Sequence, residues 1–157
     1  MTLSTAFGFN QDAIRTKSFE YGGHTFKVKI PLTAETEAMF ERMKNADQDK
    51  VDLHFAELSK PFLENKDNFS EDQEVEYKDD DIVVKGFSLR ETAKNKALTE
   101  LRVTELFRLL VPESKEFDMS SISYKDIEET FPFSVQMELV EEISKVISPN
   151  YSDTRKK

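Results

Sequence analysis

His24-Thr25-Phe26-Lys27-Val28-Lys29-Ile30-Pro31-Leu32-Thr33-Ala34-Glu35-Thr36-Glu37-Ala38-Met39-Phe40-Glu41-Arg42-Met43 changes its hydrophobic period at Pro31. Before the proline, Phe26, Val28 and Ile30 alternate with polar residues and share one face of a strand. After it, Thr33 is placed to cap a helix. Glu35 and Glu37 fall in the first turn, where the helix dipole favours acids, and Met39, Phe40 and Met43 form an apolar face. Upstream, Phe19-Glu20-Tyr21 is another alternating run, separated from His24 by Gly22-Gly23, the two-residue signal of a hairpin. Strand and helix share one short segment, so the class is α+β.

Helical periodicity governs most of the chain beyond Met43. Val51, Phe55, Leu58 and Phe62 form one amphipathic stripe from about Asp49, with Pro61 near its end. A second hairpin is expected across Val75-Glu76-Tyr77 and Ile82-Val83-Val84, turning on Lys78 to Asp81. Ser88-Leu89-Arg90-Glu91 has the spacing of a capping box and opens the longest helix, expected to run to Val111 before Pro112. Ser123-Tyr124-Lys125-Asp126 opens a short helix that must stop near Thr130, because Phe131 precedes Pro132. Phe133, Met137, Val140, Ile143 and Ile147 then line a last helix. The expected fold is α+β and predominantly α-helical, with about five helices and one or two short β-hairpins in the N-terminal half. Residues 1–17 show no period and are expected as a flexible lead-in, 18–149 as a single globular, mainly helical domain, and 150–157 as a loose tail.

Composition narrows the function. The 157 residues include no Cys, which removes disulfides, thiolate metal sites and a cysteine nucleophile. Nine acids face two bases between Glu64 and Asp81, so this stretch alone supplies −7 of the net −9. No stripe of Lys and Arg to neutralise phosphates appears outside the last three residues, so nucleic acid is not an expected partner. No apolar run approaches the roughly 18–20 residues that span a bilayer, and no membrane partner is expected. Met1 to Asn10 lacks the basic start and apolar stretch of a signal peptide, which makes the cytoplasm the expected location.

Catalytic and metal signatures are missing as well. His24 and His54 are the only histidines and lack metal-ligand spacing, so each is expected to be structural, at the surface or half-buried. Asp79-Asp80-Asp81 lacks the alternating ligands of a calcium loop and reads as a charged turn. No phosphate-binding glycine loop or nucleophile elbow is present. The expectation is a protein without catalytic residues, cofactor or metal, whose work is to bind other proteins.

The apolar excess shows where. Leu98, Leu101, Val103, Leu106, Phe107, Leu109 and Leu110 leave the second half of the long helix apolar over most of its circumference, and such a helix is buried by more than one neighbour. Large side chains beyond the needs of a core mark a partner or self-association surface. The candidates are Leu106, Phe107, Leu110, Phe131, Phe133, Met137 and Val140.

Two passages carry a resemblance. Phe26 to Pro31 followed by Thr33 to Arg42, and Asp126-Ile127-Glu128 with Phe131-Pro132-Phe133-Ser134-Val135-Gln136-Met137-Glu138-Leu139-Val140, resemble the two ends of tail assembly chaperones from long-tailed bacteriophages. The likeness extends over about residues 19–151 and rests on general patterning plus the Phe-Pro-Phe block. It implies a mainly helical protein that self-associates in the host cytoplasm, coats and keeps soluble the tape-measure protein before the tail tube polymerises, and is absent from the mature virion. It also implies a longer, frameshifted form whose extension recruits tail-tube protein. Lys156-Lys157 is compatible with an A-rich slippery site. The two hairpins add more strand than a purely helical family member is expected to have. The other reading of the same residues is an unrelated, non-enzymatic protein-interaction adaptor domain.

Overall fold

The change of period at Pro31 is where strand gives way to helix in the computed structural model, which describes residues 2–69 and 74–148. Strands β1 (Thr16–Tyr21) and β2 (His24–Lys29) pair antiparallel, with Tyr21 opposite His24 and Thr16 opposite Lys29. Gly22 and Gly23 turn between them at φ of 59° and 78°, the left-handed pair that a tight hairpin with twisted strands requires. Phe19 and Phe26 face each other across the ladder, their rings stacked 5.4 Å apart. Val28 is fully buried, with half-buried Phe26 and Ile30 on the same face.

Helix α3 (Thr33–Met43) begins as expected, but Thr33 is not its cap. The Leu32 N–H donates to Glu35 Oε1 at 2.9 Å and the Thr36 N–H donates to Leu32 O. An acid in the first turn thus reaches back to the backbone and does the work expected of a hydroxyl. The hydrogen bond from Leu32, aided by Arg15 at 2.6 Å, holds the Glu35 carboxyl below its ordinary pKa.

The described chain divides into two compact units, Met1–Phe40 with Val103–Lys157 and Glu41–Arg102, where the sequence pattern suggests one domain. The second unit holds α4 (Gln48–Glu64), capped by Asp47, whose carboxylate accepts the Asp49 N–H. Val51, Phe55 and Leu58 of its stripe pack with Ala93 and Ala97 of α6 (Leu89–Phe107). The small alanines let two helices approach closely, and both are buried. Helix α5 (Lys66–Phe69) comes after α4. The second hairpin then forms in the expected register, with β3 (Val75–Tyr77) on β4 (Ile82–Val84), and gains a third strand, β5 (Phe87–Ser88).

Asp81 holds this hairpin to the helix that succeeds it. One carboxylate oxygen accepts the N–H groups of Ile82 and Arg90 at 2.8 and 2.9 Å, and the other accepts the Ser88 hydroxyl. Ser88 in turn accepts the Glu91 N–H at 3.0 Å, which is the expected first half of the capping box. Burial pushes the Asp81 carboxyl upward, but the hydrogen bonds from Ser88, Arg90 and Ile82 outweigh it and hold the pKa below its ordinary value.

In the first unit, residues 1–17, read as a lead-in, carry α1 (Leu3–Phe7), α2 (Gln11–Arg15) and the start of β1. The long helix stops at Phe107, four residues short of the expected Val111. Leu110 and Val111 instead form β6 (Leu110–Val111) on the free edge of β2, opposite Val28 and Lys27. A residue before proline is pushed out of the helical region, and β2 offers edge groups that need partners. Helix α7 (Tyr124–Thr130) has a full capping box between Ser123 and Asp126, and α8 (Phe133–Ile147) lies against β1. The α+β class with helix predominating is observed, as eight α-helices and two three-stranded antiparallel sheets among the described residues. The tail expected over 150–157 lies outside those residues.

The Asp81 arrangement separates three adjacent aspartates. Asp81→Ala is expected to lower the unfolding free energy by about 1–2 kcal/mol, since its hydrogen bonds involve a charged acceptor that is partly exposed. Asp79→Ala and Asp80→Ala should each stay within about 0.5 kcal/mol of the parent. Because the folded pKa of Asp81 is depressed, its contribution is complete above the unfolded pKa of about 3.9 and is lost as pH falls through the lower folded value. Urea unfolding of Asp81→Asn and the parent at pH 7 and pH 3 checks the sign: their difference must shrink at the acid end.

Candidate protein-docking groove

A cavity of about 890 Å³ opens in the first unit. One wall is the turn end of β2, from His24 to Lys27. A second is β6 with the loop after Pro112, bringing Val111, Lys115 and Phe117. The third is the approach to α7 and the helix itself, with Met119, Ile122, Ile127 and Phe131. Phe107 and Leu110 also line it. Phe107 and Phe131 meet edge to face at 5.6 Å, the arrangement that ring quadrupoles favour. Val111 and Phe117 are 39% and 54% exposed, so part of the apolar lining is open to solvent.

Charged groups sit among this lining. His24 stands edge-on to Phe26 at 4.7 Å, with its Nε2 3.7 Å from Glu113. Lys27 and Lys115 lie on the strand and loop walls, and Asp126 and Glu129 on the α7 wall. Asp126 is committed to its helix terminus: its carboxylate accepts the Ser123 N–H at 2.9 Å and the Ser123 hydroxyl, and the backbone bond first, then the hydroxyl, holds its pKa below the usual value. It is an anchor in this arrangement and already occupied. The groove offers apolar surface between walls of differing charge, a shape that accepts the apolar face of an amphipathic segment.

Helix α7 is fixed from beneath. The buried Gln136 carboxamide accepts from the Tyr124 hydroxyl at 2.8 Å and donates to Phe131 O at 2.9 Å, gripping both ends of the helix. Arg108 donates twice to Ile122 O, at 2.8 and 3.3 Å, and fixes the chain just before α7.

The seven residues expected at a contact surface are sorted by this geometry. Leu106 and Phe107 are each 2% exposed and Val140 is 3% exposed, so they are core. Much of the apolar circumference of the helix end is covered within the folded chain, with Leu98, Leu101 and Leu109 half-buried. Phe107, Leu110 and Phe131 line the groove. Met137 is half-buried, and Phe133 is 58% exposed outside the groove. Sequence reasoning missed Phe26, Phe117, Met119, Ile122 and Ile127 as groove residues. Phe117 and Met119 lie in a loop and a single 3-10 turn, where no period marks them.

The histidines need one correction. His54, read as surface or half-buried, is buried, and its Nε2 lies 2.6 Å from the Glu100 carboxylate in the second unit. The carboxylate accepts, so Nε2 is the ring nitrogen that donates to it. Its Nδ1, 4.0 Å from Glu57, has no hydrogen-bond partner among the described residues. Among those residues no group of three or more acids and histidines is placed to hold a metal ion.

Replacing Phe117 with Glu puts a charge on the open part of the lining without touching the core. The variant is expected to keep the parent's melting temperature within about 2 °C, as an exposed substitution should. It should lower the fluorescence gain of an apolar dye such as ANS several-fold, and titration of both proteins with the dye provides the measurement.

Comparison with known proteins finds no matching family model, no matching curated protein and no matching solved structure.

Proposed function

We propose that this protein is a tail assembly chaperone that binds the tape-measure protein and keeps it soluble while a phage tail is built, with no catalytic step of its own. The observation that carries the reading is the groove. Both stretches that resemble the chaperone family contribute to its lining: Phe26 and Lys27 from the first, Asp126, Ile127 and Phe131 from the second. A tape-measure protein is a long helical polypeptide that exposes apolar stripes until the tube encloses it. A groove with aromatic and aliphatic walls takes such a stripe by burying it, at about 25 cal/mol for each Å² removed from water. The charged groups among the lining limit which helices fit and in which direction. On this reading the protein acts in the host cytoplasm, in many copies, and leaves before the virion is complete.

Co-expression tests the proposal. A tape-measure protein encoded beside this chain should move largely into the soluble fraction when the two are made together, and should copurify with it. Phe117→Glu should reduce that soluble fraction several-fold. Equal solubility of the tape-measure protein with and without this chain would sink the chaperone reading and leave the adaptor.

A further inference from the structure

The groove takes one side of a helix, and the same unit carries a second apolar surface apart from its lining. Leu3 and Phe7 are each 73% exposed, Ile14 63% and Phe9 39%, and neither α1 nor α2 has a buried residue. Phe7 and Phe9 stack on each other at 6.4 Å. No residue of 3–14 lines the groove. We infer that residues 3–14 form an arm that closes over a helix seated in the groove, and that the guest is therefore apolar on two opposite sides. The inference rests on reading the groove as a protein-docking site, and adds what the guest must carry on its outer side.

Position and build suit the arm to that task. Its root is fixed beside the groove. The Arg15 Nε donates to Ile30 O at 3.0 Å, its guanidinium meets Glu35 at 2.6 Å, and the Ile30 N–H donates back to Arg15 O. Thr16 then pairs with Lys29, two residues along β2 from Lys27 on the groove wall, a distance of about 7 Å. Beyond the root the arm is jointed. Helices α1 and α2 have five residues each, about 7.5 Å of helix, and Gly8 caps the first at φ of 68°. With the three residues from Gly8 to Asn10 extended, the arm spans up to about 25 Å, beyond the roughly 10–12 Å diameter of a guest helix. Helices of five residues are marginal without packing, so a guest that packs against them fixes the arm.

Charge separates the two surfaces and states the guest's chemistry. The groove sets Lys27 and Lys115 against Glu113, Asp126 and Glu129, so the guest side that enters it meets charges of both signs at its flanks. The arm has one charged side chain between Thr2 and Ile14, Asp12, in a chain of net −9. Uncharged aromatic and aliphatic surface is best covered by apolar surface, which removes both from water. The guest side that faces the arm is therefore a second apolar stripe, half a turn round the helix from the first. A helix with one stripe fills the groove and leaves the arm without a partner.

Two helical peptides of about 20 residues, built from leucine, alanine, glutamine and lysine, decide it with the full chain. One carries leucines on a single helical face and the other on two opposite faces. By fluorescence anisotropy the parent should bind the two-faced peptide at least ten-fold more tightly. Phe7→Ser/Phe9→Ser should remove that margin and leave the one-faced peptide within two-fold, whereas Phe117→Glu should weaken both. The chain has no Cys, so a nitroxide on Ala6→Cys, an exposed position, reports the arm directly. Its spectrum should broaden with the two-faced peptide and stay sharp with the one-faced peptide or with none. That readout holds even if the double variant shifts the melting temperature. An unchanged margin in the double variant overturns the inference. So does a label immobilised before any peptide is added, which is an arm lying in its own groove or on a second copy. One-faced binding that depends on Phe117, with a label that stays sharp throughout, overturns the arm and leaves the groove standing. Binding of neither peptide removes both.

Discussion

Much of the first unit depends on a restriction at one residue. Val111 precedes Pro112, and the proline ring disfavours helical backbone at the residue before it. The long helix therefore ends early, at Phe107, although its apolar sequence continues. Leu110 and Val111 pass to the free edge of β2 and complete a three-stranded sheet. The Lys29 N–H finds Leu109 O at 2.8 Å in the same movement. The chain after the proline then forms the wall that carries Lys115 and Phe117. Had the helix continued to Val111, β2 would be an edge strand and that wall would have no sheet to start from.

What could be read from the sequence was local chemistry with a single answer. Gly22-Gly23 between two alternating runs admits few structures besides a tight hairpin, and it sets the register. The stripe of α4 and the start of α7 at Ser123 are also legible within a few residues. The failures are of another kind. Leu110 and Val111 suit helix or strand equally, and only the vacant edge of β2, about eighty positions away in the chain, decides between them. Phe107 and Val140 have the residue types of an interface and of a core, and periodicity cannot count the neighbours that cover them. Phe117, which opens the groove to solvent, belongs to no periodic element at all.

Asp79, Asp80 and Asp81 show the same limit on a smaller scale. As a run of acids they suggest solvation or an ion. In the fold the third gathers donors from Ile82, Ser88 and Arg90, so one member acts as part of the backbone's hydrogen-bonding scheme. Glu35 does something similar for α3. In both cases a carboxylate satisfies N–H groups at a helix start, where the alternative is a hydroxyl cap. The acidity of this chain is therefore partly structural, beyond its effect on solubility.

The grip of Gln136 on Tyr124 and Phe131 has a thermodynamic consequence for anything that enters the groove. A buried amide whose two ends are both satisfied tolerates little sliding, because any shift leaves a polar atom unpaired out of reach of water. With Arg108 holding Ile122 O, the wall is ordered before a ligand arrives. The receptor side thus contributes little entropy loss to association, and most of the ordering cost falls on the guest. Guests of similar apolar area should then be ranked by how helical they already are in isolation. On that basis the groove discriminates by the guest's own stiffness as much as by its side chains.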